Sequence, residues 1–366
     1  MTKRLYYLSV FCLLLLSGCQ SIEQLSIDYM LPADVSFPES LKRVAIVNNM
    51  PDIPENQLIA GQENRKKEDT EIVRKTMYFN GNALIATESL AKALADENYF
   101  NEIVICDSAL RAKDITPRPS TLTKEEINLL TQSLDVDFLI ALENVQIGVL
   151  YKISYAPEWH TYHGTVDAKV YPTVKVYLPN RNGPMVTVNN TDSIFWEEFA
   201  STETYVRTHL VSEKDIVKEA SEFAGQLPVK HLLPYWKTAN RYLFTSGSVN
   251  MRDASVYVKK KQWDKAIELW EQTYTTKKGK QKMYAAYNLA VGYEMQDSIE
   301  TATDWALKAQ IQAREVDGVD SRDLSQLAVG DLPNYIFTTL YVTELQTRKE
   351  GMLRLNAQMN RFKDDF

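Results

Sequence analysis

Between Val166 and Leu178 the chain alternates with period two, and this limits the folds open to it. The even positions are Val166, Ala168, Val170, Pro172, Val174, Val176 and Leu178. The odd ones are Asp167, Lys169, Tyr171, Thr173, Lys175 and Tyr177. Alternation of this kind puts one set on each side of an extended strand, so one face is buried and the other wet. Pro172 has no backbone donor, which places it at an edge or a bulge. Pro179-Asn180-Arg181-Asn182-Gly183 is turn chemistry, and Met185 to Trp196 returns as the partner strand.

The preceding residues read differently. Val44-Ala45-Ile46-Val47, Ile103-Val104-Ile105 and Phe138-Leu139-Ile140-Ala141-Leu142 are short continuous apolar runs, the pattern of strands buried on both faces. Between them lie helical spacings. Leu84, Ala91, Leu94 and Ala95 mark a helix over about 83–98, with Glu88 and Lys92 four apart. Ile127, Leu130 and Leu134 mark a second helix, with Thr121 or Thr123 as cap and Glu125-Glu126 in the first turn. Residues 51–70 read as a polar loop, and 145–165 as an insert. A further helix runs from Glu213 to Leu227, stopped by Pro228.

Residues 251–310 carry an internal repeat. Tyr257, Trp263, Ala266 and Trp270 correspond at an offset to Tyr293, Ile299, Ala302 and Ala306, and Ala254 and Ala290 precede each Tyr by three. Ala266 and Ala302 stand 36 residues apart. This spacing is similar to that of tetratricopeptide units, helix pairs that cross at small residues and bury their apolar faces by stacking. Two pairs are too few to stand alone, so a C-terminal helix over Leu332–Met352 is expected as support, with Ile336, Leu340, Val342 and Leu345 turned inward. Residues 311–330 read as a polar linker.

At the N-terminus, Lys3 and Arg4 precede the apolar run Leu5–Leu16, which is too short for a bilayer-spanning helix. Leu16-Ser17-Gly18-Cys19 resembles the bacterial lipobox. The resemblance implies a signal peptide over 1–18, cleavage between Gly18 and Cys19, and acylation of Cys19. Several acyl chains together give stable anchoring where one does not. The residues after Cys19 contain no Asp beside it, which favours the outer membrane facing the periplasm. Residues 19–40 are expected as a lipidated tether. Loss of Lys3 and Arg4 leaves 39 basic against 48 acidic residues, a formal −9, which disfavours nucleic acid as partner. Cys12 leaves with the signal and Cys19 is the anchor. That leaves Cys106, read as a buried strand residue, so no internal disulfide is expected.

The order strand, helix, strand, helix, strand, hairpin, helix over 41–235 carries a second resemblance. Arg43-Val44-Ala45-Ile46-Val47, Leu90-Ala91-Lys92-Ala93-Leu94, Thr123-Lys124-Glu125 and Leu134-Asp135-Val136-Asp137-Phe138-Leu139-Ile140 are similar to the α/β domain of the TolB N-terminal region. The curli secretion channel and the penicillin-binding-protein activator lipoproteins share it. The expected fold is therefore α+β: a small α/β periplasmic domain at 41–235, then an all-α tetratricopeptide-like domain at 236–366 with a C-terminal capping helix. The whole layout resembles lipoproteins of the Bacteroidetes. It implies a membrane-anchored adaptor for protein partners in the envelope. The alternatives are a subunit of a curli-like export assembly and a metal-dependent hydrolase. Against the export assembly, Asp167, Lys169 and Lys175 on one strand face would be costly toward lipid.

No nucleotide-binding loop, dinucleotide fingerprint, HExxH or nucleophile elbow occurs. Glu158, His160 and His163 are close in sequence but lack a partner motif, and Glu197 and Glu198 point to opposite faces of a strand. No catalytic, cofactor or metal residue is assigned. The expected partner surface is aromatic: Tyr235, Trp236, Tyr242, Tyr257, Trp263 and Trp270. Lys259-Lys260-Lys261 and Lys277-Lys278 read as solvated turns.

Overall fold

The computed structural model describes residues 22–51, 58–60, 70–106, 108–111, 121–321 and 332–365. Gly18, Cys19 and the signal segment lie outside the described residues.

In chain order the elements are β1 (Ile22–Leu31), β2 (Arg43–Asn48), β3 (Leu58–Ala60), β4 (Glu71–Asn80), α1 (Ala83–Asp96), β5 (Glu102–Cys106), α2 (Lys124–Leu134), β6 (Phe138–Ala156) and β7 (Thr161–Tyr177). Then come β8 (Val186–Asn189), β9 (Asp192–Ala200), α3 (Glu203–His209), α4 (Glu213–Gln226), α5 (Val229–Leu232) and β10 (Tyr235–Phe244). Five helices follow: α6 (Val249–Lys259), α7 (Trp263–Thr276), α8 (Gly279–Met295), α9 (Ile299–Asp317) and α10 (Pro333–Met359). The protein is thus a mixed α/β sheet domain followed by an all-helical region. It divides into two compact units. One holds the residues through Pro32 and Trp236–Asn356, the other Ala33–Tyr235 and Ala357–Phe366.

In the sheet unit β2 is central and pairs in parallel with β5 on one side and β6 on the other. Its four apolar residues have no exposed surface, as a strand covered on both faces requires. Val44 and Ile46 pack with Leu90 and Leu94 of α1 and with Ala220 of α4. Ala45 and Val47 pack with Ile127 of α2. Asn82 caps α1 by accepting from the Ile85 amide, and Thr123 with Glu126 closes a capping box on α2. Leu84 is exposed, so the buried stripe of α1 is Ala86, Leu90, Ala91 and Leu94.

The expected insert at 145–165 is instead the far part of a long hairpin. β6 and β7 pair from Leu139–Tyr177 out to Ala156–Thr161. At about 3.3 Å per residue each strand runs on the order of 50–60 Å. β4, which the sequence reading left unassigned, pairs with β6, and β3 from the expected loop pairs with β4. β8 and β9 line the other side of β7. Pro172 falls between the β9 and β8 pairings, where its missing donor breaks no bond to either strand, and it faces Val145 of β6, two residues past the bulge at Glu143. The even residues of β7 enter the core as expected. The odd face is not wet throughout, because α2 covers Tyr177. Cys106 ends β5 half-buried rather than buried.

In the helical unit Ala254, Ala266, Ala290 and Ala302 have no exposed surface, the small residues at the crossings of α6 to α9. Gly292 extends this: a Cβ there would stand 3.0 Å from both Ile267 and Trp270. The segment 311–317, expected in a linker, continues α9, and Gly318 at φ +65 ends it in a left-handed cap. α10 buries Tyr341, Val342 and Leu345 but leaves Leu340 exposed.

The tether reading of 19–40 fails where it can be seen. Ile22–Leu31 is strand β1, paired with β10 and seated in the helical unit through Leu25. Ala33, Val35 and Phe37 are buried in the sheet unit, where the Gln358 side chain accepts from the Ala33 amide and donates to the Ala33 and Val35 carbonyls.

A buried ionic network crosses the helical unit. Arg241 of β10 donates through Nε and Nη2 to Glu294 of α8 at 2.7 and 2.8 Å, and Arg348 and Tyr341 of α10 donate to the same carboxylate. Paired and fully bonded, these charges fix β10 against two helices at once. Unpaired, a carboxylate with no exposed surface would be strongly destabilising.

Candidate functional site: an uncovered sheet face

Alternation decides the site. On β4, β6, β7 and β9 the residues Met77, Ile147, Val149, Val166, Ala168 and Val170 face the core, with Ile194 and Trp196 packed against it. Their neighbours Tyr78, Gly148, Leu150, Lys169, Tyr171, Phe195 and Phe199 therefore share the opposite face. α2 covers that face only at the parallel end, over Ala45, Val47, Leu139 and Ala141. Beyond it the rings of Tyr78, Tyr171, Phe195 and Phe199 remain 40–56% exposed.

These rings are ordered by their neighbours. Gly148 lies beside Tyr78 in register, and both Tyr78 and Tyr171 approach the position a Cβ would take there, at 3.6 and 3.8 Å. The two tyrosines and Gly148 line an open cleft of about 560 Å³ together with Asp167, Lys169 and Asp192. The Lys169 ammonium stands 5.6 Å from the Tyr171 ring centroid. Further along, His163 stacks on Phe199 with centroids 4.0 Å apart, and its Nε2 lies 3.2 Å from Glu197 Oε2. Rings with charged groups between them suit binding of a partner that presents both apolar and polar groups.

A second polar cluster lies at the C-terminal ends of the parallel strands, where ligands of α/β sheets commonly bind. The bulge turns Glu143 inward, 1% exposed. Tyr177 donates its hydroxyl to Glu143 Oε1 at 2.7 Å, Asn49 Nδ2 donates to Oε2 at 2.8 Å, and Lys175 stands 3.9 Å away. Burial pushes the Glu143 carboxyl above the usual range, only partly opposed by Tyr177, Lys175, Asn49 and Arg111. Burial, then the bond to Glu143, raises the Tyr177 phenol as well. The surroundings are enclosed, so the cluster fixes the strand ends rather than offering a docking surface.

The sequence-derived candidates are scattered. Glu158 lies in a 3-10 turn, Pro157–Trp159, and His160 follows at φ +49 with Nδ1 3.4 Å from the Tyr155 hydroxyl. His163 pairs with Glu197 instead, and among the described residues no three His, Cys, Asp or Glu side chains converge as metal ligands. Of the aromatic set, Trp270 is 1% exposed, which corrects its assignment to a partner surface, while Tyr257 and Trp263 are half-buried against the helical core. Alanine-lined crossings leave space that large rings fill. Tyr235 is half-buried, while Trp236 and Tyr242 keep exposed surface. The uncovered rings of β4, β7 and β9 were missed. Phe195 and Phe199 at odd positions of one strand were the available signal.

Fold and face together define a two-unit α+β protein with a helical-repeat region and a bare aromatic sheet surface. The chain belongs to the family described as "Domain of unknown function (DUF8603)", whose model matches residues 41–244. A second model, "Domain of unknown function (DUF6340)", matches residues 252–347. No curated protein and no solved structure matches the chain.

Proposed function

We propose that the chain is a non-enzymatic adaptor of the bacterial cell envelope, held by lipid on Cys19 at the outer membrane facing the periplasm, and that it grips a protein partner on the uncovered sheet face. The supporting observation is the group of four exposed rings on β4, β7 and β9 of one sheet face. Exposed apolar surface gathered in one place marks an interaction surface, whereas isolated exposed side chains do not. The lipobox-like sequence supplies the anchorage.

Site-directed photocrosslinking in cells tests the partner face. A benzophenone residue in place of Tyr171 is expected to yield a discrete protein adduct. The same residue in place of exposed Leu129 of α2 is expected to yield none. No adduct at either position, or equal adducts, overturns the reading. Cys19→Ser tests the anchor separately: the variant should leave the membrane fraction.

A further inference from the structure

β9 is a strand with one neighbour. It pairs with β7 from Asp192 to Ala200, and among the described residues no strand pairs with its other edge. Its nine residues present about 30 Å of backbone to a further strand. An edge of this length is a template for another chain, and proteins commonly blunt such edges with Lys, Pro or a bulge. β9 holds neither Lys nor Pro, and its pairing with β7 runs without a register shift.

The strand carries carboxylates instead. Glu197 lies on the open face between Phe195 and Phe199, which are 56% and 47% exposed. Glu198, next in sequence, lies on the core side, opposite Gly164 of β7. Trp196, also on the core side, donates through Nε1 to Glu219 of α4 at 3.1 Å, which brings a third carboxylate to that side. His163 reaches Oε2 of Glu197 at 3.2 Å. Among the described residues no cation pairs with Glu198 or Glu219. Each face of this edge strand thus sets negative charge beside a large ring.

These charges decide which strand can join. A second copy laid edge to edge would put Asp192, Glu197 and Glu198 of both chains on one seam, and β9 has no Lys or Arg to offset them. Like charges on paired strands are destabilising. We infer that the partner adds an extended basic segment to the free edge of β9, with two consecutive Lys or Arg residues set between apolar ones. The inference rests on the proposed partner face and names its mode of binding. Consecutive side chains of a strand point to opposite faces. A basic pair across from Glu197 and Glu198 therefore sends one cation to each face, and the flanking apolar residues meet Trp196 and Phe195 before it and Phe199 after it. Backbone bonds supply affinity in strand addition, and the alternating side chains supply specificity. The charges that repel a copy of this chain are the ones that select the partner.

The probe is a fluorescein-labelled peptide, Thr-Val-Val-Arg-Lys-Val-Val-Thr, titrated with the purified full-length chain and read by fluorescence anisotropy. Glu197→Lys with Glu198→Lys should weaken its binding about tenfold or more. The reversed peptide, with Glu-Glu in place of Arg-Lys, should bind this variant about as tightly as the first peptide binds the native chain, which also shows that the variant is folded. Two further peptides are N-methylated at the odd or at the even residues and keep every charge. One should bind as before and the other at least about tenfold more weakly, because a strand bonds its neighbour through alternate amides. Equal binding of the two methylated peptides, no effect of charge reversal, or no binding to the native chain overturns the inference. The crosslink at Tyr171 tells two failures apart. A failed peptide test with an adduct that persists in the Glu197→Lys, Glu198→Lys variant removes the strand mode and leaves the face. No adduct at Tyr171 removes the face, and the inference with it.

Discussion

The two faces of the long hairpin share a backbone, a register and a set of strands, yet they have opposite fates. On one, Ile147, Val149, Val166, Ala168 and Val170 are at most 1% exposed beneath α1, α3 and α4. On the other, Tyr78, Tyr171, Phe195 and Phe199 face water. Three helices pack over the first and one short helix over part of the second. Strand chemistry therefore decides which residues travel together, and helix placement decides whether they become core or surface.

Substitution on the covered face should give the largest effects. Ile147→Ala removes a fully enclosed side chain and should destabilise the sheet unit by about 2–5 kcal/mol. Urea unfolding followed by far-UV circular dichroism measures it. A cost under about 0.5 kcal/mol would erase the distinction between the faces. Gly225→Ala comes next. Its Cβ would stand 2.4 Å from the Ala86 carbonyl oxygen and 2.9 Å from the Leu90 nitrogen, both backbone atoms of α1 that cannot swing aside. The expected cost is about 1–3 kcal/mol, read as a lowered urea midpoint.

How far could the sequence anticipate this contrast? Period alone showed that Val166, Ala168 and Val170 share a buried face, and continuous apolar runs showed β2, β5 and the start of β6 as buried strands. Thr123 announced its helix through chemistry that is local, and the alanines at 254, 266, 290 and 302 marked helix crossings for the same reason. Two things depended on distant residues. β1 looked like a tether although Leu25, Ile27, Tyr29 and Leu31 alternate with Gln24, Ser26 and Asp28, because Pro32 and Pro38 follow closely and its burial comes from helices more than 200 residues away. β4 and the second half of β6 mix polar and aromatic residues, since no described element covers one of their faces. The bare face was thus hidden by the feature that makes it a candidate site.

Glu143 stands where cover on the second face ends, and it grades the comparison by pH. Burial raises its pKa in the folded state above the unfolded value. The folded state thus binds the proton more tightly, so the stabilising contribution is complete below the unfolded pKa of about 4.3 and is lost as pH rises through the folded value. Glu143→Gln keeps the shape and cannot ionise. Relative to it, the native chain should lose ground as pH rises above the unfolded pKa, seen as a widening gap between the two urea midpoints. A gap independent of pH would mean that Tyr177, Asn49 and Lys175 compensate the charge fully.

The smallest effect on stability should come from the open face, and there stability and binding should part. Phe195 and Tyr171 pack against no described helix and are 56% and 40% exposed, so Phe195→Ser with Tyr171→Ser should lower the unfolding free energy by no more than about 0.5 kcal/mol per site. The exposed rings carry the contact area of the proposed surface, and aromatic residues dominate interface energetics. The same double substitution should therefore abolish the adduct formed by a benzophenone at Tyr78, a position it leaves in place. If folding is unchanged and the adduct persists, the bare face is only an unpacked side of a sheet. If stability falls by several kcal/mol, the face is covered in the intact protein, and the contrast between the two sides was never one of function.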